Sequence, residues 1–155
     1  MDKIAVVIPC YRVAEQIENV ISGIGGLVTW IICVDDKCPE NSGRHIEEKF
    51  RDDPRVEVLH HERNKGVGAA VVTGYLKALE HEADVIVKLD GDGQMDAGQI
   101  SRLVGPIIRG EADYTKGNRF YSPENIAPMP IIRIVGNAGL SFFAKLSTGY
   151  WEIFD

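Results

Sequence analysis

The sequence is short of everything that a disulfide scaffold, a zinc centre or a membrane span would need. It has three cysteines, Cys10, Cys33 and Cys38, an odd number with no CxxC spacing, which points to reduced thiols in a cytoplasmic protein. Its histidines, His45, His60, His61 and His81, lack the spacing of catalytic zinc ligands and read as surface or structural residues. No window approaches the ~20 apolar residues of a membrane span. The start, Met1-Asp2-Lys3 followed by a short apolar stretch, lacks the long hydrophobic region and cleavage site of a signal peptide. Acidic residues outnumber basic ones, 23 to 17. A formal net charge of -6 argues against a nucleic-acid partner, which usually meets a basic face. An anionic ligand stays open, because a metal or backbone amides can supply positive charge locally. Internal repeats and low-complexity segments are absent.

What is present suits one soluble α/β domain of 155 residues, with 45% apolar and 26% charged residues. Apolar, β-branched runs at Ile4–Ile8, Trp30–Val34, Arg55–Leu59 and Asp84–Leu89 predict strands. A fifth strand candidate precedes Lys116-Gly117-Asn118-Arg119. Helical stretches are predicted at roughly Ala14–Ile24, Ser42–Phe50, Gly66–Glu80 and Asp96–Ile108. The last has Asp96 as its N-cap and apolar residues at Ile100, Leu103, Val104 and Ile107, which form one helical face. Strands alternating with helices indicate βαβ units around a mostly parallel sheet. Such sheets bind ligands at the carboxyl ends of their strands. Residues 122–130 hold three prolines and read as a loop or lid. Residues 131–154 are mostly apolar. They read either as amphipathic helices lying on a membrane surface or as a helix packed on further parts of a domain that is incomplete at its C-terminal end.

The strand ends carry the unusual residues. In Asp90-Gly91-Asp92-Gly93-Gln94, alternate residues of an extended chain point the same way, so Asp90 and Asp92 can converge on one hard cation, with Gln94 adding a neutral oxygen. A solvated acidic turn capping the next helix is the plainer alternative. An EF-hand would need Gly at Met95 and Glu at Ser101. A haloacid-dehalogenase-like phosphatase usually has Thr or Val where Gln94 stands. Asp35-Asp36 can accept from a base or ribose, or can serve as a turn before Pro39. Tyr11 can stack on a base or simply pack. Lys65-Gly66-Val67-Gly68-Ala69-Ala70 partly matches a dinucleotide-binding loop, with Val71 in place of the third glycine. Close packing of helix on sheet explains the small residues equally well. Arg119 and Arg133 are each phosphate clamps or surface ion-pair partners.

Taken in order, these motifs resemble the family-2 glycosyltransferases of GT-A (Rossmann-like) fold, especially the branch that includes dolichyl-phosphate mannosyltransferase and related polyprenyl-phosphate sugar transferases. The resemblance runs through Val6-Val7-Ile8-Pro9-Cys10-Tyr11, Val34-Asp35-Asp36, Asn64 to Ala70, Asp90 to Gln94 and Gly117-Asn118-Arg119-Phe120, so residues 1–155 read as a single, incomplete catalytic domain. It implies that Pro9, Tyr11, Asp36 and Lys65 bind the nucleotide and that Asp90 meets both nucleotide and metal. Asp92 and Gln94 complete the metal set, for Mg²⁺ or Mn²⁺. Arg119 and Arg133 fall where that branch places phosphate-binding arginines. Two departures bear on the base: Arg12-Val13 replaces a usual Asn-Glu, and Lys37-Cys38-Pro39 replaces a Gly-Ser turn.

The implied reaction is an inverting transfer from a nucleoside-diphosphate sugar to a polyprenyl-phosphate or glycan acceptor, at the cytoplasmic face of a membrane. A hydroxyl acceptor would need a general base, for which Asp155 is the late carboxylate available; a lipid phosphate would need none. The chief alternative is a non-catalytic nucleotide-binding domain of the same fold. A sugar-phosphate nucleotidyltransferase would show a Gly-rich loop with Arg after the first strand. A response-regulator receiver would have paired acids there. The chain shows neither.

Overall fold

The computed structural model describes residues 2–117 and the helix spanning residues 131–148. The chain divides into two compact units, Met1–Thr115 and Lys116–Asp155.

In the first unit, strands β1 (Ile4–Cys10), β2 (Trp30–Asp35), β3 (Val56–His60) and β4 (Val85–Lys88) form a four-stranded sheet. Its order is β3-β2-β1-β4 and every pair is parallel. Helices α1 (Ile17–Ser22), α2 (Ser42–Lys49), α3 (Val67–Glu80) and α4 (Ile100–Ile108) provide the crossovers and flanks, with a short 3-10 turn, Ala97–Gln99, leading into α4. This is the α/β arrangement that the sequence predicts. Element boundaries agree within about four residues; α1 begins three residues late, and the 3-10 turn stands where the first turn of α4 is predicted.

β1 is buried along its whole length, as a central parallel strand covered on both faces must be. Its side chains alternate between two cores. Ile4, Val6, Ile8 and Cys10 join Ile31, Cys33, Ile17, Ile21, Ile46 and Val104 beneath α1, α2 and α4. Ala5 and Val7 join Ile32 and Val34 beneath Ala70 and Ala78 of α3. Each fully buried Ile or Val contributes about 1.5–3 kcal/mol, so this doubly covered strand anchors the sheet.

The α3 face is built from small residues. Ala70, Gly74 and Ala78, four apart, are its buried positions, and a methyl group on Gly74 would overlap Val7. The close approach that the small residues suggested is therefore met at Gly74, one turn beyond the glycine-containing loop.

One predicted element is not formed. Residues 111–117 make no strand ahead of Arg119. The segment turns onto α4 instead, where the Thr115 hydroxyl donates to the Leu103 carbonyl at 2.8 Å.

In the second unit the apolar stretch is a helix, α5 (Ile131–Thr148). Leu140, Phe142, Phe143 and Leu146 are exposed on it. No helix among the described residues is long and apolar enough to cross a membrane.

Candidate functional site

The strand order places β2 and β3 on one side of β1 and β4 on the other. Chain connections therefore diverge between β1 and β4, and the crevice at the carboxyl ends there is where open α/β sheets take ligands. A cleft of about 300 Å³ opens at that point. Its walls come from all four strand ends: Pro9 and Tyr11 after β1, Asp36 after β2, Asn64 and Gly66 after β3, and Asp90 and Asp92 after β4. A second hollow, of about 330 Å³, lies on the α2 side and includes Asp35, Lys37, Arg44, Glu47 and His60. Its Glu47 is already paired with His60 at 2.9 Å, and it lies away from the switch point.

Tyr11 is 43% exposed, open enough for one ring face to receive a planar ligand, and the Arg12 guanidinium carbon lies 5.6 Å from its ring centroid. Arg12 adopts a left-handed conformation, φ 57°, which is costly for a residue with a Cβ. Its N–H donates to Cys38 Sγ at 3.1 Å. Cys38 Sγ also lies 3.1 Å from the Ser42 hydroxyl, which at 3.4 Å accepts from the Val13 N–H. Burial pushes the Cys38 thiol up, but the Ser42 hydroxyl and the N–H groups of Arg12, Ser42 and Glu40 outweigh that and hold it below its ordinary value. Cys38 and Ser42 thus tie the loop after β1 to α2.

Asp36 is buried and lines the cleft. Its Oδ1 accepts from the Lys65 N–H at 2.8 Å and lies 2.7 Å from His61 Nδ1. Its Oδ2 accepts from the Gly66 N–H at 2.7 Å. Burial raises the Asp36 carboxyl, but these three donors win and leave it below its usual range. Gly66 has φ 85°, a conformation that L side chains rarely adopt, and it delivers the chain into α3 with its N–H turned back to Asp36. No side chain caps α3, so its N-terminus faces the cleft through Gly66, Val67 and Ala70.

On the opposite wall, the Lys88 ammonium lies 2.5 Å from Asp90 Oδ1. Asp92 is exposed, and its Oδ1 accepts from the Gln94 N–H at 3.0 Å. Asp96 caps the next turn through the Gly98 N–H at 2.9 Å. The described residues hold no cluster of three or more His, Cys, Asp or Glu side chains able to cage an ion. Two carboxylates on one loop suit the other mode of divalent binding, in which one or two acids share Mg²⁺ or Mn²⁺ with water and a ligand's phosphates. The donor set fits a metal in that mode.

Pro9, Tyr11, Asp36, Asp90 and Asp92 are thus brought to one cleft. Lys65 and Gln94 do not line it; each meets a lining residue through its backbone N–H, Lys65 at Asp36 and Gln94 at Asp92. Arg119 and Asp155 lie outside the described residues, as does the side chain of Arg133 on α5. Sequence reasoning passed over Lys88, and it gave Asn64 and Cys38 no role of their own. Lys88 could have been found from the two-residue repeat of a strand, which puts it on the same side as Asp90. It also grouped His61 with the surface or structural histidines. His45, His60 and His81 do pair with Glu18, Glu47 and Glu57, whereas His61 is buried against Asp36. Cys10, Cys33 and Cys38 are free, buried thiols.

A family model described as Glycosyl transferase family 2 matches residues 5–155. A UDP-N-acetylglucosamine–dolichyl-phosphate N-acetylglucosaminyltransferase of Methanococcus voltae is 35% identical over 96% of the chain and 64% of its own length. An undecaprenyl-phosphate mannosyltransferase of Micrococcus luteus is 29% identical, with 95% of the chain and 60% of the relative covered. A dolichol-phosphate mannosyltransferase of Pyrococcus furiosus is 28% identical over 94% of the chain and 41% of its own length. The chain therefore spans about two fifths to two thirds of these relatives.

Proposed function

The chain belongs to glycosyl transferase family 2, and from that premise we propose that it forms the donor-binding and catalytic part of an inverting transferase that moves a sugar from a nucleoside diphosphate to a polyprenyl phosphate. The observation that carries this reading is the meeting of four strand ends at the β1/β4 switch point, with an open aromatic ring on one wall and two carboxylates on the other.

In this reading Pro9, Tyr11 and Asp36 receive the nucleoside, and Lys65 stands near its phosphates. Tyr11 offers a stacking face, while Asp36 keeps part of its accepting capacity beside its three existing donors. Asp90, Asp92 and Gln94 would hold Mg²⁺ or Mn²⁺. When bound, such an ion neutralises charge building on the leaving diphosphate. The N-terminus of α3 lies across the cleft and favours the same charge. Arg119 and Arg133 are assigned to phosphate on the resemblance alone.

The bond between the sugar's anomeric carbon and the diphosphate breaks, and its electron pair leaves with the diphosphate. A phosphate oxygen of the acceptor forms the new bond from the opposite face of the sugar. That oxygen is already anionic near neutral pH, so no side chain has to remove a proton. A glycan hydroxyl would need a base such as Asp155, and the relatives' names favour the lipid phosphate. A lipid acceptor also brings the protein to a membrane's cytoplasmic face, and the exposed Leu140, Phe142, Phe143 and Leu146 of α5 suit such contact.

A thermal-shift screen of nucleoside diphosphates, with and without Mn²⁺, tests the donor assignment. A matched base at a hundred times its dissociation constant stabilises the protein by about 2.7 kcal/mol. No shift with any base would overturn the assignment. Turnover of a nucleoside-diphosphate sugar separates the enzyme from a non-catalytic binding domain.

A further inference from the structure

Asp36 holds two consecutive backbone amides of the cleft wall, at Lys65 and Gly66, and is itself held by a side chain that lies outside the cleft lining. The His61 ring is buried between Asp36 and α3, with Nδ1 2.7 Å from Asp36 Oδ1 and Nε2 2.9 Å from the Thr73 hydroxyl. Asp36 is kept ionised by its donors and so can only accept. Nδ1 therefore carries a proton and donates to it, while Nε2 meets the Thr73 hydroxyl. The imidazole thus links the α3 hydroxyl to the carboxylate. That carboxylate also gathers the Lys65 and Gly66 N–H groups.

We propose that His61 is a positioning residue of the donor cleft: it fixes the Asp36 carboxylate in the orientation that receives Lys65 and Gly66, and so sets the wall formed by Asn64, Gly66 and Val67. Oδ1 is shared between His61 and Lys65, whereas Oδ2 belongs to the backbone alone, with Gly66 as its donor. Removing His61 leaves the carboxylate free to rotate in a buried site with only the chain it is meant to organise as its partner. Gly66 lacks the restraint that a Cβ would impose and is the residue whose conformation depends most on that anchor. The wall's role in nucleotide binding rests on the function proposed above; its anchoring by His61 does not.

Two substitutions separate the contacts of the ring. Asn at position 61 places an amide N–H where Nδ1 stands, and Gln reaches towards Nε2 while withdrawing the donor from Asp36. Two readouts apply: hydrogen exchange at the Lys65 and Gly66 amides, and calorimetric affinity for the four common nucleoside diphosphates with Mn²⁺. His61→Gln should speed exchange at both amides and weaken nucleotide binding, each by about tenfold, as loss of one hydrogen bond to a charged group implies. His61→Asn should stay within about threefold of the unsubstituted protein in both, because the donor is restored. Equal exchange in the two variants, or acceleration spread evenly over the sheet, overturns the proposal. If the unsubstituted protein binds no nucleoside diphosphate, the donor reading falls, and the exchange comparison still decides the role of His61.

Discussion

Asp35 and Asp36 are adjacent in the chain yet hold different helices. Asp35 Oδ2 accepts from the Gly43 N–H of α2 at 2.7 Å, and Asp36 Oδ2 accepts from the Gly66 N–H at the entry to α3, also at 2.7 Å. The cause is the pleat. Successive side chains of an extended strand end point to opposite faces, and the two helices cover opposite faces of this sheet. Only Asp36 reaches the cleft; Asp35 also binds the Cys38 N–H, at 2.6 Å, and shapes the turn beyond.

Replacing Asp36 by Asn should destabilise the protein by about 2–3 kcal/mol near pH 7, since the lost acceptor was a charged one. The folded carboxyl lies below its unfolded value. Its contribution is therefore present above about pH 4 and is lost as pH falls through the folded value. Denaturant titrations should show a constant gap between the proteins from about pH 7 to 5 that closes in stronger acid. A gap unchanged at about pH 3 would contradict the assignment.

Asp92→Ala should melt within about 0.5 kcal/mol of the parent, because the side chain is exposed and holds only a local turn. Calorimetry should nevertheless show that Mn²⁺ no longer tightens nucleoside-diphosphate binding. Lys88→Ala should leave stability nearly unchanged as well, for partly exposed ion pairs contribute about 0–1 kcal/mol.

Gly74→Ala tests the close contact between α3 and the sheet. Helix propensity alone would favour alanine by about 1 kcal/mol, but overlap with Val7 costs about 1–3 kcal/mol. The expected result is a net loss in the natural background and a gain when Val7 is also alanine. A double-mutant cycle by urea denaturation reads the coupling, and additive effects would refute the contact.

Cys38→Ala should cost about 1–3 kcal/mol by leaving the Arg12 N–H and the Ser42 hydroxyl without their partner. Cys38→Ser should recover part of that, because an oxygen can still accept. Urea midpoints in the order parent, Ser, Ala are expected; equal midpoints for Ser and Ala would show that the sulfur's hydrogen bonds are unimportant.

Contact of α5 with a membrane predicts that the protein co-floats with vesicles of mixed neutral and anionic phospholipid. Exchanging Phe142 and Phe143 for Ser should reduce flotation several-fold, as lost apolar burial implies. Failure of the unsubstituted protein to float would count against the lipid-facing role.

Much of this architecture was legible before any coordinates. The apolar runs ending at Pro9, Asp35 and Asp90 specify strands through composition and length, and Asp96 marks a helical entry with its own side chain. Family membership was legible as well, because strand-end motifs survive in a fixed order along the chain. The segment before Arg119 was misread as a strand, since a strand requires a partner edge and sequence alone does not display one.

Local chemistry decided which segments became strands and helices and which residues stood at their ends. Only the fold decided which side of the sheet each end faced, and hence that the Asp36 carboxylate meets the His61 ring while the Asp35 carboxylate does not. It also settled that Gly74 marks where α3 presses on Val7. These are contacts between residues 25 and 67 positions apart, set by strand order and pleat, and neither propensity nor periodicity encodes the partner across the gap.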